Sequence, residues 1–290
     1  MKKTKSSGSR YLLFSLPSII VILAIMIFPV CYAIYYSFFQ YKMGGTATFI
    51  GLKNYIKILT DSEFQEALLF SVIYTAITVS AQIILGMIIA LLMDNIRKGR
   101  RVIATLIYLP YFIAGSICGI IFRWIFISNW GLVPQFLSSI GISAPSFFDN
   151  AGLSRMVVIL AEIWQNTPFA TIIFYAGLQS VPYELEEAAQ LDGATEFQIF
   201  RNIKLPHLRH LFILVLTMRT MDSFRVYDRI AVMTAGGPGT ATQTVSLYAY
   251  KYAFTKLRIG RGCAAGVLIL LVMAIPIFIL LKKMRSTEVD

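Results

Sequence analysis

The feature that most limits what this chain can become is a series of six apolar stretches, at about 12–37, 67–92, 102–127, 156–180, 208–233 and 263–281, separated by polar segments. A helix rises about 1.5 Å per residue, so roughly 20 mostly apolar residues cross a bilayer core about 30 Å thick. Inside hydrocarbon every backbone N–H and C=O must find a partner within the protein, which leaves helices or closed barrels. The expected fold class is therefore all-α: a polytopic membrane protein with six transmembrane helices, residues 1–11 as a polar tail and 12–290 as one membrane domain. Composition agrees, with 57% of residues hydrophobic and 14% charged, against about 45–50% and 25% in a soluble domain.

Lys2, Lys3, Lys5 and Arg10 precede the first run as they would in a secretory signal, but the run continues to about Phe39. A signal core is only roughly 7–15 residues, so an uncleaved first span is expected. Pro17 and Pro29 predict kinks in it, Pro110 interrupts the third run and Pro168 lies inside the fourth. Cys31, Cys118 and Cys263 all fall in apolar runs without metal-type spacing, which predicts small core residues and neither a disulfide framework nor a metal site. The segment Thr242–Phe254, with Tyr248, Tyr250, Tyr252 and Phe254, reads as a short amphipathic element suited to a membrane interface.

Lysine and arginine collect on the cytoplasmic side. With the N-terminus inside, inner segments hold fourteen: Lys2, Lys3, Lys5, Arg10, Arg97, Lys98, Arg100, Arg101, Arg201, Lys204, Arg209, Lys282, Lys283 and Arg285. Outer segments hold eight: Lys42, Lys53, Lys57, Arg155, Lys251, Lys256, Arg258 and Arg261. The bias predicts N-in, C-in. It also assigns the net charge of +11 to a lipid membrane rather than to nucleic acid.

This orientation places Tyr183–Pro206 in the cytoplasm. It is the longest charge-rich stretch in the chain, with five acids against Arg201 and Lys204. Val181-Pro182 ends the fourth span. Glu184 to Leu191 then makes two helical turns with Leu185, Ala188 and Ala189 on one face and acids near the start, where the helix dipole favours them. Asp192-Gly193 reads as a turn. Asp192 or Thr195 can cap a second helix over about 195–202, with Phe197, Phe200 and Ile203 as its apolar stripe, and Leu205-Pro206 turns the chain into the fifth span. An amphipathic loop lying on the inner leaflet is the alternative, but net acidity is wrong for an anionic surface.

Glu187-Ala188-Ala189, three residues, Gly193, nine residues, then Ile203-Lys204-Leu205-Pro206 resembles the EAA loop of ABC-importer permease subunits, and Asp192 fits the same pattern. Phe49-Ile50-Gly51-Leu52-Lys53-Asn54-Tyr55 and Thr234-Ala235-Gly236-Gly237-Pro238-Gly239 are similar to segments of the carbohydrate-uptake, MalF-like branch. Some maltose-specific members carry extra N-terminal spans and a large outer domain, for which this sequence has no counterpart. The resemblance implies that the EAA loop, 181–207, is a coupling helix seated on an ATPase subunit. Its coupling residues would be Glu187, Ala188, Ala189, Asp192, Gly193, Phe197, Ile203, Leu205 and Pro206. It further implies a second, homologous permease subunit, two ATPase subunits that bind ATP and magnesium, and an extracytoplasmic solute-binding protein that delivers carbohydrate. Alternating access in a prokaryotic inner membrane is the implied mechanism.

The residues themselves carry no catalytic set and no cofactor motif. No Gly-x-x-x-x-Gly-Lys-Ser/Thr loop occurs, and His207 and His210 lie on different helix faces. The energy for uphill transport is thus expected from another chain.

In the fifth run Arg219, Asp222, Arg225 and Asp228 recur every third residue with alternating sign, and Arg229 follows. Charges in a span face the bundle interior, a partner or a wet cavity. One reading is a self-neutralising structural ladder. The other is a solute path in which Glu162, Trp164, Gln165, Asn166, Tyr175, Arg219, Asp222 and Arg225 meet sugar hydroxyls. Arg123 reads as a snorkelling side chain. Two rival functions remain: import of glycerol phosphate or another small polar solute, for which the arginines would need to be unpaired, and an ion-gradient-driven transporter or channel.

Overall fold

The computed structural model describes the backbone of residues 7–96 and 98–287 and the side chains of 15–96 and 98–283. The cations Lys2, Lys3, Lys5 and Arg97, with the Arg10 and Arg285 side chains, lie outside the described residues, as does most of the polar tail.

The regular structure of the described chain is helical apart from two short strands. Helices α1 (Ser7–Ile22) and α2 (Phe28–Ser37) are joined by a widened π turn at Leu23–Ile27. Pro29, which has no N–H to give, falls just after that turn. Strands β1 (Phe39–Gln40) and β2 (Thr48–Phe49) pair antiparallel, with Phe39 opposite Phe49. Then come α3 (Lys53–Leu59), α4 (Ser62–Asp94), α5 (Arg100–Tyr108), α6 (Gly115–Phe126), α7 (Leu132–Ser139), α8 (Ala151–Leu178), α9 (Tyr183–Leu191), α10 (Glu196–Ile199), α11 (Leu205–His207), α12 (Arg209–Phe224), α13 (Asp228–Met233), α14 (Val245–Tyr250) and α15 (Ile259–Thr287).

Among the described residues four helical segments are long and apolar enough to cross a membrane: Ser15–Ser37, Ser62–Asp94, Ala151–Leu178 and Ile259–Lys283. They answer to the first, second, fourth and sixth predicted spans. The third is a bent pair. Arg100–Phe112 and Gly115–Phe126 meet at 96°, because Pro110 opens a tight 3-10 turn and Ile113 and Ala114 are extended. The fifth, 208–233, is not one helix. Its α12 has 16 residues, and Arg225–Tyr227 separates it from α13. Charged side chains that must turn toward α8 are better served by a break than by a straight span.

The chain divides into two compact units. One comprises Met1–Asp61 and Ala249–Leu270. In it the β-hairpin is stitched to the start of α15: Met43 N–H donates to the Leu257 carbonyl at 3.0 Å and Gly260 N–H to the Tyr41 carbonyl at 3.1 Å. A Cβ on Gly260 would strike the Phe39 carbonyl, so this close approach requires glycine. Asn54 is buried and donates to the Ser37 and Phe39 carbonyls, each at 2.9 Å. Residues 15–32 are exposed throughout, whereas Ser37 at the end of α2 is buried.

The other unit comprises Ser62–Tyr248 and Leu271–Asp290. Its core is built on α4 and α8 as two apolar clusters. One holds Phe70, Tyr74, Cys118, Val157, Val158 and Ala161 with Ile230 and Met233. The other holds Val79, Ile83, Met87 and Ala90 with Ala170, Phe174, Leu178, Leu208 and Val215. Gly86 lets α4 approach Ala170 closely, and Gly115 and Gly119 do the same for α6 against α13. Between the two clusters both long helices turn polar, at Thr75, Thr78 and Gln82 on α4 and at Glu162, Gln165 and Asn166 on α8.

Two smaller expectations need correction. Of the cysteines expected in the core, Cys118 is buried, Cys263 half-buried and Cys31 exposed. Of the four aromatic residues expected at the interface, Tyr248 and Tyr252 are buried, whereas Tyr250 and Phe254 are exposed.

Candidate functional site

The polar layer is organised around one buried carboxylate. Glu162, 2% exposed, receives Tyr74 Oη at 2.8 Å, Gln82 Nε2 at 3.3 Å, Asn166 Nδ2 at 2.9 Å and Ser223 Oγ at 3.4 Å. Arg229 Nη1 pairs with its Oε2. Arg229 also donates to Gln165 Oε1 from Nε at 3.1 Å, and Gln165 Nε2 closes the set on the Ile113 carbonyl at 2.5 Å, where α5 turns toward α6. An isolated charge at such a depth costs several kcal/mol, and only a matched partner with its hydrogen bonds satisfied offsets that cost. Helices α4, α8, α12 and α13 and the turn between α5 and α6 are held together by this requirement.

A second, wetter group adjoins the first. Arg219 Nη1 donates to Asn166 Oδ1 at 2.7 Å and Arg219 Nη2 pairs with Asp222. Arg225 Nη2 meets the other Asp222 oxygen at 2.8 Å. Glu162, Asn166, Arg219, Asp222, Asp228 and Arg229 line a cavity of about 440 Å³ together with Tyr111 and Arg225. The Arg219 guanidinium lies 4.6 Å from the Phe169 ring centroid, and Phe169 lies 5.7 Å from Tyr111. The cavity thus offers carboxylate, amide and guanidinium groups next to two aromatic faces.

The alternating ladder holds only in its first three rungs. Asp228 leaves it, with its carboxylate against Gly115 at the start of α6, where the helix N-terminus favours negative charge. Arg229 leaves it for Glu162. Glu162, Asn166, Arg219, Asp222 and Arg225 line one cavity, and Gln165 joins them through Arg229. Trp164 is 41% exposed and packs on Phe122, and Tyr175 stacks under Arg100; neither lines the cavity. Sequence reasoning missed Tyr74, Gln82 and Tyr111. A signal for the first two was present: Ser71, Tyr74, Thr75, Thr78 and Gln82 share one helical face of an otherwise oily run. Arg123 Nη1 donates to the Val232 carbonyl at 3.2 Å, joining α6 to α13.

The polar loop is ordered by its own signals. Pro182, in extended conformation, precedes α9. Gly193 ends it at φ +81°, with Ala194 N–H reaching back to the Ala189 carbonyl at 2.9 Å and Gly193 N–H to Gln190 at 3.0 Å. This is a left-handed helix stop that a Cβ disfavours. Thr195 and Gln198 form a reciprocal capping box on α10. Beyond it the chain does not exit at Leu205-Pro206. It continues through a π turn, Phe200–Lys204, and α11, so that Ile199 and Leu208, 1% and 0% exposed, anchor it. The expected Phe197–Phe200–Ile203 stripe is therefore split: Phe200 packs on the core, whereas Phe197 points outward at 68% exposure.

Lys204 is the pin of this loop. Its Nζ lies 2.9 Å from Glu186 and 3.5 Å from Asp94 at the end of α4, and Gln179 Nε2 holds the other Asp94 oxygen at 2.9 Å. Burial alone would lower the lysine's pKa, but hydrogen bonds and attraction from Glu186 and Asp94 outweigh it, and the net direction is upward. Glu186, not Glu187, takes the internal cation. Glu187 and Ala188 are exposed, as are Asp192, Gly193, Leu205 and Pro206, while Ala189 and Ile203 are half-buried. His207 meets Ser180 Oγ at 3.1 Å.

Three comparisons bear on the chain as a whole. The family described as binding-protein-dependent transport system inner membrane component matches residues 82–284. The chain is 33% identical over 241 residues, 83% of its length and 81% of the relative's, to the trehalose/maltose transport system permease protein MalF of Thermococcus litoralis. It is 30% identical over 284 residues, 95% and 89% of the two lengths, to the trehalose transport system permease protein SugA of Mycobacterium tuberculosis. Its fold is similar to a chain of a bacterial ABC transporter involved in the import of the acidic polysaccharide alginate, with TM-score 0.83, 23% identity and 96% of both chains covered. With helices apolar enough to cross a membrane and a family match across most of its length, the chain belongs to the binding-protein-dependent transport system inner membrane components, as a multi-pass ABC transporter permease subunit and not an enzyme.

Proposed function

We propose that this permease subunit imports carbohydrate, coupled through residues 181–207 to ATPase subunits. In this reading it spans the membrane six times, N-in and C-in, with the bent α5–α6 pair and the broken α12–α13 pair as the third and fifth crossings. It pairs with a second, homologous permease, rests on two ATPase subunits, and receives solute from an extracytoplasmic binding protein. Closure of the ATPase dimer on ATP moves α9, and the path opens alternately to either side.

The observation that carries the coupling role is the division of labour between neighbouring acids. Glu186 is spent on Lys204, while Glu187 and Ala188 on the same helix stay exposed with Leu191 and Phe197. A short rigid helix with an uncovered small-residue and acidic face is what a basic cleft on another subunit would accept. The carbohydrate assignment leans on the trehalose, maltose and starch-product relatives and on the hydroxyl-binding chemistry of the cavity. Its arginines are engaged: Arg229 by Glu162, Arg219 and Arg225 by Asp222. That charge balance favours a neutral polyol over a phosphate ester. The decisive experiment is uptake of a panel of mono- and oligosaccharides into vesicles holding the assembled transporter. Saccharide uptake that requires ATP is expected. Uptake that survives ATP depletion but collapses with the ion gradient would replace this reading with a secondary transporter.

A further inference from the structure

The unit formed by Met1–Asp61 and Ala249–Leu270 has an unusual charge. Its described side chains include one acid, Asp61, and seven cations. Asp61 is already paired with Arg261. Next to this pair lies a cavity of about 250 Å³ lined by Lys42, Lys57, Arg258 and Arg261, with Tyr41 and Asn54 among its walls and no acidic residue. Lys42, Lys57 and Arg258 are exposed and have no ion-pair partner among the described residues.

These cations are positioned by backbone rather than by chance rotamers. The β-hairpin bonds bring Lys42 alongside the turn that carries Arg258. Leu257 in that turn has φ +52°, a conformation that a side chain with a Cβ normally avoids, and its carbonyl accepts from Met43 N–H. Asn54, buried and doubly bonded to the chain, fixes the floor.

What leads up to the cavity is equally specific. A column of rings climbs the end of α2: Tyr32 to Tyr36 at 4.4 Å, then Tyr36 to Tyr41 at 5.0 Å. Tyr35, Phe39 and Phe49 form a second column at 4.7 and 5.4 Å. Below them residues 15–32 are exposed throughout and almost entirely apolar. Apolar surface, amphipathic rings, then unpaired cations is the order in which a phospholipid presents acyl chain, glycerol region and phosphate. We propose that this cavity holds the phosphodiester headgroup of an anionic phospholipid, with its acyl chains along Ser15–Ser37. Inorganic phosphate shares the headgroup chemistry but would gain nothing from the apolar helix. The inference is independent of the transported solute.

The test uses the full chain in mild detergent, with retained phosphatidylglycerol and phosphatidylcholine of identical acyl chains compared by native mass spectrometry. Each cation near an anionic lipid contributes roughly fivefold, so the unaltered protein should prefer phosphatidylglycerol by about tenfold or more. The triple variant Lys42→Gln, Lys57→Gln, Arg258→Gln should fall to near parity with an unchanged melting temperature. Lys53→Gln, a cation of the same unit outside the cavity, should keep the preference. Unchanged preference in the triple variant overturns the proposal. Loss of the preference on adding millimolar inorganic phosphate assigns the site to the free ion and overturns the lipid. Headgroup indifference in the unaltered protein also overturns it, and would point to an acidic protein surface as the occupant.

Discussion

Arg229 and Glu162 are 67 positions apart, on different helices, and meet as an ion pair with each side chain 5% exposed or less. The pair sits between two apolar clusters and gathers Tyr74, Gln82 and Gln165 around it. It locks α13 to α8 at the break in the predicted fifth span.

Removing one partner should therefore be worse than removing both. Glu162→Gln alone leaves Arg229 buried and uncompensated and should cost about 3–5 kcal/mol. The double variant Glu162→Gln, Arg229→Met should recover much of that loss. Melting temperature in detergent, read for both singles and the double, checks it; purely additive losses would show that the two side chains do not act as a pair.

The half-exposed group should behave differently. Asp222→Asn and Asn166→Ala lie at the cavity, and Asp222 is 36% exposed. Each should lower saccharide uptake by about tenfold or more, the order expected for one hydrogen bond to a charged group, with normal membrane insertion. Uptake unchanged in both variants would assign Arg219, Asp222 and Arg225 a structural role.

At the loop, Gly193 is restricted by backbone conformation, since nothing lies within 4 Å of where a Cβ would sit. Gly193→Asn should be tolerated, while Gly193→Ala should destabilise the α9 stop by about 1–2 kcal/mol. Protease accessibility of the loop should rank Gly, Asn, Ala from least to most; equal accessibility of all three would contradict the helix-stop role.

Phe197 and Ile199 are two residues apart and should separate coupling from folding. Phe197→Ser and Glu187→Lys should leave melting unchanged and weaken co-purification with the ATPase subunits. Ile199→Ser, at 1% exposure, should lower stability by about 2–5 kcal/mol. Normal ATPase attachment in both exposed variants would sink the coupling reading.

Lys204 gives a pH prediction. Its folded pKa is raised by Glu186 and Asp94, so its contribution is complete below the unfolded lysine value, about 10.4, and is lost only as pH rises through the folded value. A spin label at Leu191→Cys should show constant mobility from neutral pH to about 10 and loosening above. Lys204→Met should be loose throughout, with Glu186 and Asp94 left without their shared cation.

Much of this protein was legible in the chain alone because its strongest signals are local. Hydrophobic length marked the membrane helices, and Pro182, Gly193 and Thr195 marked the ends of α9 and the start of α10, since each acts through its own backbone torsion or its nearest hydrogen bonds. The spacing from Glu187 to Pro206 identified the family for the same reason. Tertiary structure alone decided the rest. Sequence spacing put Arg225 beside Asp228 and Phe197 beside Phe200, because neighbours at that interval share a helix face. The helix break at Arg225–Tyr227 and the π turn at Phe200–Lys204 undid both pairings. Whether a buried charge is met by its neighbour along the helix or by a carboxylate on another helix depends on which one desolvation leaves closer, and that distance exists only once the helices have packed.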